Sequence, residues 1–183
     1  TGTAIPRPLE SVLREEYASK FKHIILASWK QPMTLRINNN VISQSGISIQ
    51  EEAPEMLGLD ILIGDKNGLK EKNSIMISQS CAKALFGNVD PVGKIINVND
   101  SDDLMVTAVY KDIPQNDSFS DVKFLIPRKH FIEAVPWVKY SMEQWINSHF
   151  QLFVQMAENT NTHQVSKTIA NIKSEKEPKE AEY

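Results

Sequence analysis

Residues 78–94 read SQSCAKALFGNVDPVGK and follow a short apolar segment, Ser74–Ile77, which predicts a strand. Ser78 stands at the N-cap position of a helix, because its hydroxyl can accept a hydrogen bond from one of the free N–H groups of the first turn. Four apolar residues then recur at helical spacing and predict one buried helix face. They are Cys81, Ala82, Leu85 and Phe86.

The end of this helix is marked by Gly87, because glycine readily adopts the left-handed conformation that closes many helices. Asp90, Pro91 and Gly93 follow, a composition typical of a turn, and they lead into a second strand, Lys94–Val98. The block therefore predicts a strand, a capped helix, a turn and a strand. These residue types set a fold and carry no chemistry of their own.

The first 49 residues predict one helix and three strands. Pro8–Phe21 carries apolar residues at helical spacing, so we expect an amphipathic helix there. His23–Trp29 is apolar and rich in isoleucine, which favours a buried strand that ends before Pro32. Thr34–Ile37 and Val41–Ile49 flank three asparagines, which tolerate the left-handed backbone of a hairpin turn.

The remaining segments predict further short strands and a last helix. The strands are Asp60–Ile63, Leu104–Asp112, Asp121–Ile126 and Phe150–Met156. Thr162 can cap the last helix, because apolar residues recur at helical spacing after it. Many short strands mixed with three or four helices indicate the α+β class.

The composition and net charge of the chain argue against several classes of protein. The chain has 183 residues, of which 41% are hydrophobic and 23% are charged, a balance that allows a buried core. Its net charge of −3 argues against the basic surface of a nucleic-acid-binding protein, so no nucleic-acid partner is expected. No apolar run approaches the roughly 20 residues of a membrane span. The single cysteine, Cys81, excludes an internal disulfide.

The residues predict no catalytic, cofactor-binding or metal site. No two of the four histidines are spaced for shared metal ligation on one helix turn or along one strand. Ser80 and Lys83 match the S-x-x-K spacing of the nucleophile helix in penicillin-interacting enzymes, but the K-T-G and S-D-N motifs of those enzymes are absent. We therefore interpret this pair as part of a solvated helix face.

The 78–94 block resembles the extracytoplasmic core domain of MacB-like and FtsX-like ABC transporter permeases, in which a strand is followed by SESLAKKLFG, two polar residues and DPVGK. A second segment, Val106–Asn116, reads VTAVYKDIPQN and resembles the VTGVVKDVPPN of that domain. The similarity extends over nearly the whole chain in the same order. Cys81 stands in place of a usual leucine and Ala108 in place of a common glycine, and neither departure removes a catalytic group.

The resemblance implies a domain in two parts. Residues 1–30 and 104–183 would form a mixed, porter-like part of βαβ character, and residues 31–103 would form a smaller α/β lobe inserted into it. The whole chain would be a soluble fragment of a larger membrane protein. The motif residues would have structural roles; they are Ser78, Ala82, Leu85, Phe86, Gly87, Asp90, Pro91, Gly93, Val109, Asp112 and Pro114.

The resemblance also implies a function without catalysis. The domain would face the periplasm as part of an inner-membrane permease and would transmit ATP-driven conformational change to the export or release of a peptide, drug or lipoprotein. It would hold no cofactor, since a partner nucleotide-binding domain uses the ATP. The expected partners are the permease's own transmembrane helices, a cytoplasmic ATPase, a second permease copy and a periplasmic adaptor. The isolated chain is expected to be monomeric.

Two alternatives stay open. A free-standing extracytoplasmic protein that binds a peptide, lipid or small molecule would need an apolar concavity with a few polar anchors, and the sequence locates none. A hydrolase built on Ser80 and Lys83 would be acylated at Ser80 by a reactive β-lactam, and replacement of Ser80 by alanine would abolish the labelling.

Overall fold

The computed structural model describes residues 4–134, 144–145 and 148–176. The chain forms two compact units. One, which we call the split unit, consists of Thr1–Ala27 and Val135–Tyr183. The other, the continuous unit, consists of Ser28–Ala134. Both contain strands and helices, which confirms the predicted α+β class.

The strands and helices are numbered in chain order. The strands are β1 (Ile5–Pro6), β2 (Phe21–Ala27), β3 (Gln31–Ile37), β4 (Asn40–Ile49), β5 (Ile61–Gly64), β6 (Ser74–Ser78), β7 (Ile95–Val98), β8 (Asp102–Tyr110), β9 (Phe124–Pro127) and β10 (Ser148–Met156). The helices are α1 (Pro8–Glu16), α2 (Ala53–Met56), α3 (Gln79–Phe86), α4 (Arg128–Ala134), α5 (Thr162–Ile169) and α6 (Ile172–Lys176).

The split unit is built around a strand–helix–strand crossover. β10 pairs antiparallel with β1 and with β2, so β1 and β2 run parallel to each other and are joined by α1. This is the βαβ character expected for the outer part of the chain. The buried core of the unit comprises Leu13, Phe21, Ile24, Val165 and Ile172.

A buried carboxylate ties α1 to β2. Glu10 is only 5% exposed, and its Oε1 accepts a hydrogen bond of 2.8 Å from Nε of Arg14, one helical turn later. The guanidinium of Arg14 also donates to the backbone oxygen of Ile24 in β2. A buried charge is costly unless it is paired, so this arrangement both neutralises Glu10 and fixes the helix on the strand.

The strands of the continuous unit pair into a closed ring. β4, β3, β7 and β8 follow one another in antiparallel pairs, β8 pairs parallel with β6, and β6 pairs antiparallel with β9. The parallel pair of β9 with β4 closes the ring. β5 pairs antiparallel with the last residues of β8. It lies along the same edge of β8 as β7, which pairs with the first residues of that strand.

Alternate residues of these strands fill the interior of the ring. Successive side chains of a strand point to opposite faces, so residues two apart share the core. The strand members of this core are Met33, Leu35, Ile75, Ile77, Ile96, Val98, Leu104, Val106, Val109, Phe124 and Ile126. α3 adds Cys81 and Leu85 to the same core.

The closing pair of strands depends on a glycine. Gly46 of β4 lies opposite Phe124 of β9 in the parallel register, and a Cβ added to Gly46 would lie 2.1 to 2.6 Å from three atoms of the Phe124 ring. Real Cβ atoms do not approach carbon atoms so closely. The ring of Phe124, which is fully buried, therefore occupies the space that a side chain at position 46 would need.

Apart from strand ends that shift by up to three residues, three sequence expectations differ from the structure. The predicted helix Pro8–Phe21 ends at Glu16, and Phe21 instead begins β2 and reaches the same core. The last helix is capped by Asn161, whose Oδ1 accepts the N–H of Gln164 at 3.1 Å, and not by Thr162.

The third difference concerns the division of the chain. Residues 104–134 were expected with the outer part, but they lie in the continuous unit, because β8 pairs with β5, β6 and β7 and β9 pairs with β4 and β6. The outer part expected at 1–30 and 104–183 also includes residues 1–3, 135–143, 146–147 and 177–183, which lie outside the described residues. Its porter-like nature stays a prediction.

Replacement of Gly46 by alanine is expected to lower the free energy of unfolding by about 1–3 kcal/mol, the usual cost of overpacking a core. The loss is measured by urea unfolding. Ser43→Ala, at an exposed position of the same strand, is the control and should change stability by less than about 0.5 kcal/mol. Adding Phe124→Leu to Gly46→Ala should cost less than the sum of the two single changes. A Gly46→Ala variant as stable as the unchanged chain would contradict this account of the closure.

Candidate functional site

The signature block folds as its sequence predicts. Ser78 ends β6, and its Oγ accepts the backbone N–H of Cys81 at 3.3 Å, so it is the N-cap of α3. Gly87 has a φ of 63° and donates its N–H to the oxygen of Lys83 at 3.0 Å, which closes the helix. Both helix ends are therefore satisfied by residues of the block itself.

A polar cluster anchors the first turn of α3; we call Ser78, Ser80, Asp112 and Lys123 the α3 polar cluster. The carboxylate of Asp112 accepts the backbone N–H of Ser80 at 2.9 Å and the hydroxyl of Ser80 at 2.5 Å. Nζ of Lys123 donates to the same carboxylate at 3.0 Å. The cluster joins the segment after β8 and the segment before β9 to the start of α3.

The electrostatics of the cluster favour an ionised Asp112. Partial burial raises the pKa of its carboxyl, but the hydrogen bonds from Ser80 and Lys123 and the positive charge of Lys123 outweigh burial, so the pKa is lowered from its ordinary value. A negative charge at a helix N-terminus is also favourable, because free N–H groups point at it. Asp112 thus acts as a charged second cap for α3.

Two buried groups beneath the cluster have their charged forms suppressed. Burial, and to a lesser extent the charge of Asp112, raise the pKa of the Cys81 thiol to about 12. Burial also raises the pKa of Tyr110 well above its ordinary value, and its hydroxyl donates to the oxygen of Val122 at 3.2 Å. A neutral, buried thiol is unreactive, since the thiolate is the nucleophile.

The structure gives the serine of the S-x-x-K motif a structural partner. The hydroxyl of Ser80 donates to Asp112, and no hydrogen bond joins Ser80 to Lys83, both of which lie in the described part of the chain. A serine nucleophile needs its hydroxyl beside a base that is free to take the proton. Here the carboxylate of Asp112 already accepts hydrogen bonds from Lys123 and from the backbone N–H of Ser80, so it is not free to take the proton of the Ser80 hydroxyl.

An open, largely apolar groove lies beside α3; we call it the α3 groove. It has a volume of about 420 Å³ and runs between β5, the α3 face and the turn that follows α3. Three of its apolar side chains are strongly exposed: Leu62 at 44%, Ile63 at 46% and Val89 at 59%. The lining residues are Leu62, Ile63, Gln79, Ala82, Lys83, Gly87, Asn88, Val89, Asp90, Pro91 and Val109.

The predicted motif residues are distributed over this region. The groove is lined by Ala82, Gly87, Asp90, Pro91 and Val109, and the polar cluster contains Ser78 and Asp112. Leu85 lies in the ring core with Phe86 packed against it.

The last two motif residues form turns. Gly93 has a φ of 79° and donates its N–H to the oxygen of Val106 at 2.8 Å, which attaches the turn to β8. The oxygen of Pro114 accepts the N–H of Asp117 at 3.0 Å.

Sequence reasoning missed Lys123, Leu62 and Ile63. Lys123 precedes β9, and nothing in its local pattern indicates that it meets Asp112 across the fold. Leu62 and Ile63 belong to the apolar run of a predicted strand, where such runs usually mean burial. Their unusual feature, exposure, appears only once β5 is placed at the side of β8.

The described residues contain neither a membrane-spanning helix nor a cluster of metal ligands. None of the described helices is long and apolar enough to cross a bilayer. Within residues 4–134, 144–145 and 148–176, no three histidine, cysteine, aspartate or glutamate side chains come together as a metal site would require.

A comparison with known protein families identifies the family of this chain. The model of the MacB-like periplasmic core domain matches residues 3–172. The chain belongs to this family. The expected resemblance is thereby confirmed, and the family is that of periplasmic domains of transporter permeases. No curated protein sequence matches the chain.

Three solved structures share the fold. A domain of a protein described as a permease, from Porphyromonas gingivalis, has a TM-score of 0.77 at 17% identity, with 98% of this chain and 74% of that one covered. The periplasmic region of MacB from Actinobacillus actinomycetemcomitans has a TM-score of 0.71 at 14% identity, covering 93% and 73%. The extracellular domain of the noncanonic ABC-type transporter YknZ from Gram-positive bacteria has a TM-score of 0.67 at 17% identity, covering 96% and 85%.

Replacement of Asp112 by asparagine is expected to remove part of the acid sensitivity of this MacB-like domain. The folded pKa of Asp112 lies below its unfolded value of about 3.9, so the ionised carboxylate stabilises the fold above that pH. This contribution is lost as the pH falls through the lower, folded pKa. The difference in free energy of unfolding between the unchanged chain and the variant should therefore shrink as the pH drops below about 4.

The measurement is urea unfolding at a series of pH values from neutral to strongly acidic. Asp60→Asn is the matched control, because Asp60 is an exposed aspartate just before β5 and no side-chain hydrogen bond holds it among the described residues. A difference between Asp112→Asn and the unchanged chain that stays constant with pH would count against the electrostatic role of Asp112.

Proposed function

We propose that this chain is the extracytoplasmic part of an ABC transporter permease and transmits ATP-driven movement of the membrane helices to the export or release of a substrate. The observation that carries the proposal is the family match, which spans residues 3–172 and therefore both units. The same match favours a permease domain over a free-standing binding protein.

The continuous unit is suited to transmit movement without changing shape. Its strands close into a ring around a packed core, so they slide past one another only by breaking many hydrogen bonds and contacts at once. Switching in such proteins occurs by rotation or translation of whole bodies. When the membrane helices move a rigid body of this kind, its whole surface is displaced together.

The proposed partners follow from this role. The chain would be joined to the transmembrane helices of its own permease in the inner membrane and would face the periplasm. A cytoplasmic ATPase subunit or domain would bind and hydrolyse the ATP, so this chain would need no cofactor. A second permease copy and a periplasmic adaptor would meet its surface, and the substrate would be a peptide, a drug or a lipoprotein.

We also propose that the domain is not an enzyme. The support is local: in the Ser80–Lys83 pair, which has the spacing of a nucleophile helix, the serine hydroxyl is bound to Asp112. The hydrogen bonds that Ser80 makes at the start of α3 explain why a serine stands there, so no catalytic role is needed to explain it.

The coupling role is tested in the parent permease together with its ATPase in lipid nanodiscs. Cys81 is replaced by alanine, and Ser43, which is exposed on β4, is replaced by cysteine and spin-labelled. The distance between the labels of two permease copies should change by several ångström, on the order of one helical turn, between the nucleotide-free and the vanadate-trapped state. No change during ATP hydrolysis would contradict the proposal.

A matched measurement within one copy tests the rigidity. Labels at Ser43→Cys and Lys66→Cys both lie in the continuous unit, and assemblies with one labelled copy isolate their distance. This distance should be the same in both nucleotide states. A change as large as that between copies would mean that the unit deforms and does not move as a body.

A further inference from the structure

The α3 groove presents an apolar surface with no occupant among the described residues. Leu62, Ile63 and Val89 are strongly exposed large apolar side chains, and all three line this one groove. Scattered exposed apolar residues are normal, but a cluster of them in a concave site marks a surface that binds something.

One wall of the groove is formed by β5, a strand with a free edge. β5 supplies Leu62 and Ile63, and it pairs with β8 on one side only, without a second strand partner in the part of the chain that the structure describes. The edge of such a strand carries N–H and C=O groups free to pair with another chain. An extended peptide satisfies these groups, whereas lipid acyl chains do not.

The charge of the groove is also unbalanced. The carboxylate of Asp90 accepts the N–H of Val92 at 3.0 Å and is engaged in its own turn. The ammonium of Lys83 has no carboxylate or hydrogen-bond partner among the described residues, although it lies among apolar side chains. An acidic side chain on the occupant would complement it.

From these observations we propose that the α3 groove binds an extended segment of a partner protein, which adds to the free edge of β5, places apolar side chains against Leu62, Ile63 and Val89, and places an acidic side chain at Lys83. The inference goes beyond the proposed coupling function and does not depend on it, because the groove and the strand edge belong to the chain itself. Its test therefore uses the 183-residue chain without membrane or ATPase.

The probe is an acetylated peptide of sequence TVTVEVT, titrated into the isotope-labelled chain and followed by amide and methyl NMR signals. We expect shifts confined to Ile61–Gly64, Lys83 and Val89, and slower exchange of the β5 amides with water. The counterpart TVTVKVT should bind about three-fold more weakly, the usual size of one exposed charge pair. A TVTVEVT peptide with alternate backbone amides methylated should not bind, because it cannot pair with a strand.

Variants of the chain provide the matched controls. Lys83→Glu, at an exposed position of α3, should reverse the preference between the two peptides, and Leu62→Ser should weaken both. Ile95→Ser removes an apolar side chain that is 51% exposed but lies outside the groove, and it should leave binding unchanged. The far-UV circular dichroism of each variant shows that it is folded.

Three results would overturn the proposal. The first is the absence of shifts at millimolar peptide, or shifts that do not depend on the charge of the peptide. The second is binding to vesicles of anionic phospholipid, through the same residues, without binding of the peptide. The third is a concentration dependence of the same signals in the absence of peptide, which would identify a second copy of the chain as the occupant.

Discussion

The contact between Gly46 and the ring of Phe124 is the constraint on which the continuous unit depends. β4 and β9 form the pair that closes the ring, and their register sets Phe124 against the one residue of β4 that has no side chain to exclude it. Any other residue at position 46 would push the ring out of the core that the other strands share. Without that pair, both strands would expose an unpaired edge.

The position of α3 rests on contacts that come from far along the chain. The helix supplies its own caps, Ser78 and Gly87, but Asp112 and Lys123 fix its first turn from the segments after β8 and before β9. Because α3 also forms a wall of the groove, these contacts hold the groove open before anything binds. A site that is already formed loses less conformational entropy when it is occupied.

The sequence predicts what depends on neighbouring residues. The caps of α3 and the hairpin around Asn38, which has a φ of 51°, follow from residue types at fixed spacing. The closure of the ring and the pairing of Asp112 with Lys123 join residues far apart in the chain, and no local pattern encodes them. The cap of α5 shows a smaller limit, since Asn161 and Thr162 are both good capping residues and only the backbone decides between them.

The division of the chain was also beyond local reasoning. An amphipathic or apolar pattern identifies a strand but not the strand beside it, so residues 104–134 could be assigned to either part of the chain. In the structure, β8 lies between β6 on one edge and β7 and β5 on the other, which places this segment in the continuous unit.

The interruption of the split unit determines the order in which the two cores can form. β2 is made early, but its partner β10 follows only after the whole continuous unit, Ser28–Ala134, has been made. A chain that emerges from its N-terminus can therefore complete the ring while β2 still lacks β10. Until β10 and the residues after it are made, the split unit also lacks Val165 and Ile172 of its core, so this core closes last.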